Sequence, residues 1–557
     1  MPLEIKVTII HQNERPMKKI FLPIFLLLLF GCNTQRSFTK QKAHSKKGMI
    51  AAAHPLAVKA GAEILAQGGN AADAAVAAAF SLAVVEPSMS GLGGRQQIIM
   101  RLSNGEIHGI DATSQSPLAY DTSIVKPQRY GYTTIGIPGV VAGLCKLLEE
   151  RGSLPLASVM APAIRYAEEG FALLPGEAKR HAQVAKQLGE FEGSRNYFLQ
   201  TDGKAYPPNG WLVQKDLGKT LRAIARGGKD AFYKGEIAQQ IVADMKANGG
   251  LVGMEDLANY EAKTAQIVNG SYRGFDLHGL WLPSFGAITM EILHILENFN
   301  ISELEEAERL TLIYQVIKRA YEDRAKQFEG IAMADQLTSK DYAKSIADQI
   351  TIRQTDDLGI RESEEVPESW LVNIGHTTHL SVADKDGMVV ALTQSLGPIM
   401  GSKVASPGLG FMYAISLGEY LRIYTPNQRV SSHISPFLLT KEGEPYLGLG
   451  AAGGARIIPA IVQVIHQLID QNLKLDQALA APRVYPYRDT LQLESHEGIE
   501  WNKKSIDRIE GFGFPIKMIT QKGRFARVHA IQYDAKKKKW IGAADPDWEG
   551  SASAPRK

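Results

Sequence analysis

Small apolar residues recur at helical spacing over 54–65 and again over 71–84, which predicts two helices at the start of the structured chain. Gln67-Gly68-Gly69-Asn70 between them supplies a helix end and a turn. The period then changes to two. Residues 98–102 and 107–110 flank Asn104-Gly105, a dipeptide suited to a tight hairpin turn, and predict paired strands. Helical spacing dominates from Val140 to about Phe328. A polar, acidic stretch, 356–368, precedes a second strand-rich region. There 379–383 alternates, Asp386-Gly387 turns the chain, and 388–392 runs back, giving a hairpin that opens at Thr377. Further strands are expected at 436–440, 445–449, 528–533 and 540–543, and a helix at 456–469. Lys536 to Lys539 is read as a solvated turn between the last two strands. No repeat or low-complexity linker splits the chain, so 48–557 is read as one structural domain.

Composition narrows the class. In 557 residues, 62 Lys and Arg against 59 Asp and Glu leave a formal charge of +3, which argues against a nucleic-acid partner. Cys32 and Cys145 are too few for a disulfide scaffold or a four-cysteine zinc site. Cys145 is read as a small buried hydrophobe, and Trp281 and Trp370 as core residues. No HExxH occurs, and His376 and His379 have no acidic neighbour, so neither a metal nor a cofactor is expected.

The N-terminus reads as an address. Lys18 and Lys19 precede an apolar run, 21–30, that is short for a membrane span. Gly31 and Cys32 close the run and resemble the lipobox of bacterial lipoproteins. That resemblance implies a signal peptide over 1–31 (with Met17 as a candidate start), cleavage before Cys32 and its acylation. A plain signal peptide and an uncleaved anchor are the alternatives. Residues 32–47 are polar and basic and are read as a flexible tether. The implied location is the bacterial cell envelope, lipid-anchored to a membrane and facing the periplasm.

One motif invites a different reading. Gly448 to Gly453 matches GxGxxG between a strand and a helix, with Asp470 and Asp476 downstream as candidate ribose partners. The hundred or so residues that follow lack a βαβ series, so dinucleotide binding is a weak reading. A glycine-rich turn at a helix N-terminus can equally hold an oxyanion.

Several segments in order resemble the γ-glutamyltransferase (glutathione hydrolase) family. They are Gly68 to Ala75, Gly91 to Gly94, Gly136 to Gly143, Tyr272-Arg273-Gly274 with Pro283-Ser284, and Tyr321 to Arg324. The most specific are Thr377-Thr378-His379-Leu380-Ser381, Ser431-Ser432 before Ser435-Pro436, Gly453 to Ile457 and Gly542 to Pro546. The resemblance implies an α+β fold, the four-layer αββα sandwich of N-terminal-nucleophile hydrolases. It also implies a proenzyme cut between His376 and Thr377 into a heavy fragment, reaching residue 376, and a light fragment, 377–557. Thr377 would then be both nucleophile and, through its freed α-amine, base, since an α-amine titrates near pH 7.7–8.0. Ser395 takes the place of a threonine that supports the nucleophile. Gly453 and Gly454 match the oxyanion-hole glycines, and Ser431 and Ser432 the pair that binds the donor's α-carboxylate. The implied substrates are γ-glutamyl, glutathione-like amides, the acyl group passing to water or an amine.

Three departures bear on the substrate. The family's carboxylate-binding arginine falls at Thr113, and its asparagine two residues past the supporting hydroxyl falls at Gly397. Its ammonium-binding acidic residues fall in 414–418, which holds none. Arg95 stands where the family has a small glycine and is a candidate relocated cation; an exposed strand arginine is the other reading. The same mechanism on a non-glutamyl acyl amide, and an uncleaved, non-catalytic envelope lipoprotein, therefore stand as alternatives.

Overall fold

A computed structural model describes residues 41–121, 128–354, 376–418 and 425–555. The signal peptide, Cys32, Trp370 and the acidic stretch lie outside the described residues. Two seven-stranded antiparallel sheets carry the architecture. The first runs, edge to edge, β1 (Lys42–Ser45), β18 (Lys539–Ala544), β17 (Arg527–Asp534), β13 (Glu444–Ala452), β12 (Phe437–Lys441), β9 (Phe275–Leu280) and β8 (Ile267–Tyr272). The second runs β19 (Ser551–Ser553), β2 (Gly48–Ala52), β10 (His376–Asp384), β11 (Val389–Gly397), β3 (Arg95–Arg101), β4 (Ile107–Ala112) and β7 (Lys263–Thr264). Small accessory sheets hold β5 (Phe171–Ala172) with β6 (Trp211–Leu212), and β14 (Val484–Tyr487), β15 (Thr490–Glu494) and β16 (Ile516–Ile519).

Alternation along the strands builds three apolar layers. Met49, Ala51, Ile99, Ala391, Leu438 and Ile531 pack between the sheets. Ile50, Ala52, Ile98, Leu380 and Leu392 point the other way, onto helices α1 (Pro55–Ala66) and α2 (Ala71–Val85). Phe437, Leu439, Leu449 and Ala530 point away from the interface on the other side, onto the helices Gly286–Leu296 and Ile457–Ile469. The result is the four-layer αββα sandwich. All fifteen residues of α2 are buried. Its alanines let it lie close to both the sheet and its helical neighbours, and Asn70 with Asp73 closes a reciprocal capping box at its start.

Two expectations change. The tether ends sooner than residue 47, because Lys42–Ser45 adds to the sheet edge, Lys42 opposite Ala543. A short, basic, polar segment is suited to an edge strand, where charge discourages further pairing. The 140–328 region also contains a hairpin, β8–β9, turned by Arg273 and Gly274 at φ 50° and 80°. Tyr272-Arg273-Gly274 is thus a left-handed hairpin turn. The glycines of GxGxxG lie largely inside β13, where Gly448 meets Val389 and Gly450 meets the His379 ring. Asp470 pairs with Arg273, and Asp476 with Lys42, so both candidate ribose partners are engaged elsewhere.

Candidate active site

Thr377 stands at the head of β10, an interior strand paired with β2 on one side and β11 on the other. A register irregularity between His376 and Thr378 loosens the pairing just at this residue. Thr377, His379 and Ser381 share the face that looks toward the other sheet. Thr377 Oγ lies 3.1 Å from Ser395 Oγ, both side chains being buried. Ser395 Oγ accepts the Gly397 N–H at 2.9 Å, and within the hydroxyl pair either oxygen can donate to the other. Gly397 has φ 90°, a backbone region in which glycine and asparagine are the favoured residues. The Asn-to-Gly departure is in this sense conformationally neutral, although it removes a side chain.

The glycine turn reaches the same end of the sandwich. Gly448 packs on Val389, the partner of Ala383, while Gly450 packs on His379. β13 therefore runs opposite to β10 across the interface, and its end, followed by Gly453, points toward the end of the sandwich where β10 begins. Gly454 is left-handed at φ 59° and opens the short turn into the helix Ile457–Ile469. A Cβ at Gly453 would stand 2.3 Å from that of Ala526, so the turn tolerates no side chain there. The Tyr321 hydroxyl donates to the Ala455 carbonyl and fixes the turn from the helical side.

His379 is not a catalytic base in this arrangement. Its ring bonds Thr393 Oγ1 and Ser381 Oγ, each at 2.8 Å. Burial, with His529 adding to it, holds it well below the usual histidine range and hence neutral.

Arg95 is buried, at 2 % exposure, which sets aside the exposed-strand reading. It lies directly opposite Ser395 in the β3–β11 register, so the two side chains share a face. Arg95, Ser395 and Thr377 form a row across three neighbouring strands, a span of about 10 Å. Arg95 Nη1 donates to the Ile415 carbonyl at 2.8 Å, in the 411–418 segment that carries no acidic residue. Ser431 and Ser432 are half-buried, and Ser432 N–H donates to Pro283 O at 2.9 Å. Thr113 is tied to the same segment, its Oγ1 donating to Val430 O at 2.7 Å.

Two residues to which the sequence assigned no role complete this corner. Arg324 Nη2 donates to His433 Nε2 at 2.6 Å, and Phe285 stacks on the His433 ring. Burial and the flanking Arg324 and Arg95 guanidiniums hold His433 well below its usual range. Two cations thus converge on a neutral imidazole next to Ser431 and Ser432.

A second polar cluster was also not legible in the sequence. On the helical side of β10, next to Thr378, lies Glu86, which accepts from Trp548 Nε1 at 3.2 Å. Arg180 reaches Glu86 at 3.7 Å and bonds Glu177 more closely, at 2.5 Å. Glu177 also accepts from Ser88 N–H and Oγ–H and pairs with His181. Burial pushes Glu177 up, but Arg180, His181 and Ser88 outweigh it and hold it well below the carboxylate range. Trp548 is stacked between Arg180 and Arg527. Glu86, with one cation shared, is pushed up to about 7 by burial. Its native state holds the proton more tightly than the unfolded chain does. Its contribution to stability is therefore full below about pH 4 and is lost as pH rises through about 7. Thermal unfolding of Glu86→Gln is expected to lack this slope, ending more stable than the parent at pH 8 by up to about 3 kcal/mol.

Cys145 is buried, and burial pushes its thiol up to about 12, in keeping with an inert hydrophobe. Trp281 is buried in the core. Lys536 to Lys538 lie in the β17–β18 turn, and Lys539 opens β18 opposite Asp534. Among the described residues no helix is long and apolar enough to cross a membrane.

The sequence model of the gamma-glutamyltranspeptidase family matches residues 57–554. The chain belongs to this family. The glutathione hydrolase proenzyme of Escherichia coli K12 is 34% identical over 479 residues, 79% of this chain and 81% of that one. The acylase ACY 1 proenzyme of Pseudomonas sp. strain SE83 is also 34% identical, over 82% of this chain and 85% of that one. Among solved structures, the cephalosporin acylase of Bacillus halodurans superposes with a TM-score of 0.82 at 26% identity, over 96% of this chain and all of that one. The chain is therefore an enzyme of a gamma-glutamyltranspeptidase family of amide hydrolases and acyltransferases. The relatives it matches carry the names of both glutathione hydrolases and acylases.

Proposed function

We propose that Thr377 is the nucleophile of a self-cleaving acyltransferase and amidohydrolase. The carrying observation is the Thr377–Ser395 hydroxyl pair at 3.1 Å, and the contact of Gly450 with the His379 ring supports a place for the glycine turn at the same end. In maturation, Thr377 Oγ attacks the His376 carbonyl, the C–N bond breaks, and water opens the resulting ester. That releases a heavy fragment reaching residue 376 and a light fragment, 377–557, whose new α-amine can take the proton of its own hydroxyl. In turnover, Thr377 Oγ attacks the amide carbonyl of a donor, and backbone N–H groups at Gly453 and Gly454 meet the developing oxyanion. The leaving amine departs with a proton, and water or an acceptor amine then takes the acyl group. A γ-glutamyl, glutathione-like amide is the first candidate donor.

A second reading concerns the donor. A γ-glutamyl group carries a carboxylate and an ammonium. Arg95, Arg324 and the Ser431-Ser432 pair suit the carboxylate. No acidic side chain is present in 411–418 for the ammonium, and Thr113 replaces the family arginine. This favours an acyl group ending in an anion without an α-ammonium, such as glutaryl. Release of p-nitroaniline from γ-glutamyl and glutaryl anilides separates the two. The glutaryl donor is expected to give at least about tenfold higher kcat/KM, equivalent to about 1.4 kcal/mol. Equal or better glutamyl turnover removes the second reading and leaves the first. We further propose that the leader and Cys32 place this enzyme on a membrane of the bacterial envelope. A stable single chain with no turnover would instead favour a non-catalytic envelope lipoprotein.

A further inference from the structure

Away from Thr377 and its neighbours, the carboxylates of Glu494 and Asp547 and the imidazole of His496 bring one ligand atom each within 4.8 Å of one another. Glu494 ends β15, His496 follows it by two residues, and Asp547 lies in the loop after β18. His496 Nε2 is 2.7 Å from Asp547 Oδ2 and 3.5 Å from Glu494 Oε1. All three side chains are at least nine-tenths buried, with exposures of 9 % for His496, 4 % for Glu494 and 10 % for Asp547.

The tautomer decides what this contact means. His496 Nδ1 lies 3.1 Å from the Glu497 carbonyl, which can only accept, so Nδ1 carries the hydrogen. In the neutral ring Nε2 then presents a lone pair, and it makes no hydrogen bond although it is buried. A lone pair set against two carboxylates is repulsive unless a proton or a metal ion lies between them, and burial pushes the Glu494 carboxyl up to about 7. The buried Arg483 guanidinium attracts both carboxylates through space, but its side-chain hydrogen bonds go elsewhere. Arg483 Nη2 is committed to Asp545 and to the Leu479 carbonyl. Lys522, largely exposed, stands 3.9 Å from the far oxygen of Asp547. The Gly523 N–H donates to Asp547 Oδ2 and orients it. Glu494 Oε2 is likewise oriented by the Arg483 N–H. Nδ1 bonded to a carbonyl, with carboxylates held by backbone N–H groups, is the outer support that metal ligands characteristically receive.

We infer that Glu494, His496 and Asp547 form a divalent transition-metal site, best suited to Zn²⁺, that clips the end of β15 to the 545–549 loop. One imidazole nitrogen with two carboxylate oxygens suits Zn²⁺, and Mn²⁺ next, better than the all-oxygen sphere that Ca²⁺ or Mg²⁺ prefers. Tetrahedral ligand bonds of about 2.0–2.2 Å put ligand atoms about 3.4 Å apart, so the His496–Asp547 pair, at 2.7 Å, must open slightly to admit the ion, whose charge two carboxylates balance. The role is structural. Asp547 is followed by Trp548, which bonds Glu86 and lies between Arg180 and Arg527 under the strand that carries Thr377. The spacing Glu-x-His with a distant Asp is no known signature in the sequence, and only the fold brings the three together.

The test uses the purified full chain, stripped with EDTA and re-equilibrated with ZnCl₂ or MnCl₂, with bound metal measured by equilibrium dialysis and elemental analysis. The expected result is one Zn²⁺ per chain and a higher melting temperature on adding Zn²⁺. His496→Gln and Asp547→Asn are each expected to weaken binding by roughly 100-fold or more, beyond the typical loss for an outer-shell partner. Co²⁺ in place of Zn²⁺ should give visible d–d absorption in the parent and none in His496→Gln, a readout independent of stability. Uptake and Co²⁺ spectra unchanged in both variants would overturn the inference. So would a stripped parent that binds no metal, which would mean that a proton shared within the cluster satisfies it instead.

Discussion

Thr377→Ala is expected to remain a single uncut chain and to lose amide turnover by about a millionfold, the scale seen when the nucleophile of an acyl-transfer enzyme is removed. The reason lies in the reach of one hydroxyl. Ser395 Oγ, 3.1 Å away, accepts the Gly397 N–H, and its position one strand away from the scissile bond makes it a support for Thr377 and not a replacement. His379, the nearest imidazole on that face, is bonded at both nitrogens and held neutral. Neither can substitute for Thr377. Thr377→Ser should keep both fragments and a measurable share of activity, since the hydroxyl and the future α-amine both persist. Intact mass and N-terminal sequencing of the light fragment read the outcome. A Thr377→Ala chain that still separates into the same fragments would reject Thr377 as the self-cleaving group.

Arg180→Met is expected to cost about 3–5 kcal/mol of stability, the largest loss anticipated for a single surface-remote charge in this fold. Its guanidinium serves Glu177, Glu86 and Ser88 together and rests on Trp548. Removing it strands a carboxylate that the fold holds ionised. Replacing that carboxylate as well should restore much of the loss, because a neutral amide needs no counter-ion. Urea denaturation of Arg180→Met and of the double variant with Glu177→Gln measures this. A double variant no more stable than the single one would show that Arg180 acts through packing alone.

How much of this was legible in the sequence depended on whether the signal was local. The hairpin at Asn104-Gly105 and the β10–β11 return at Asp386-Gly387 each have their turn residues next to alternating strands, and both formed. The β8–β9 hairpin was lost inside a helical stretch, because its strands alternate weakly and its turn begins with an arginine. Lys42–Ser45 was read as tether since nothing local tells a polar edge strand from a coil. For the site, Thr377, Ser395 and the glycine turn were reached through motif resemblance, and the fold sets them at one end of the sandwich. Arg324, noted only as part of a matching segment, and His433 were given no role because their meaning is relational. They matter only once β12's approach and the helical layer meet 109 residues apart in sequence. Glu86, just past the end of a helix that is apolar from Ala74 on except for Ser81, was the one local hint of the buried charge cluster.

The order of strands in the two sheets has a consequence for a chain opened before Thr377. In one sheet, β2 from the first part lies between β19 and β10 from the second, and β3, β4 and β7 continue from β11. In the other, β1 caps one edge and β9 with β8 the opposite edge of strands drawn from the second part. The two pieces are woven like interlaced fingers. With no disulfide available between them, they would still travel as one particle through purification, parting only when both sheets melt.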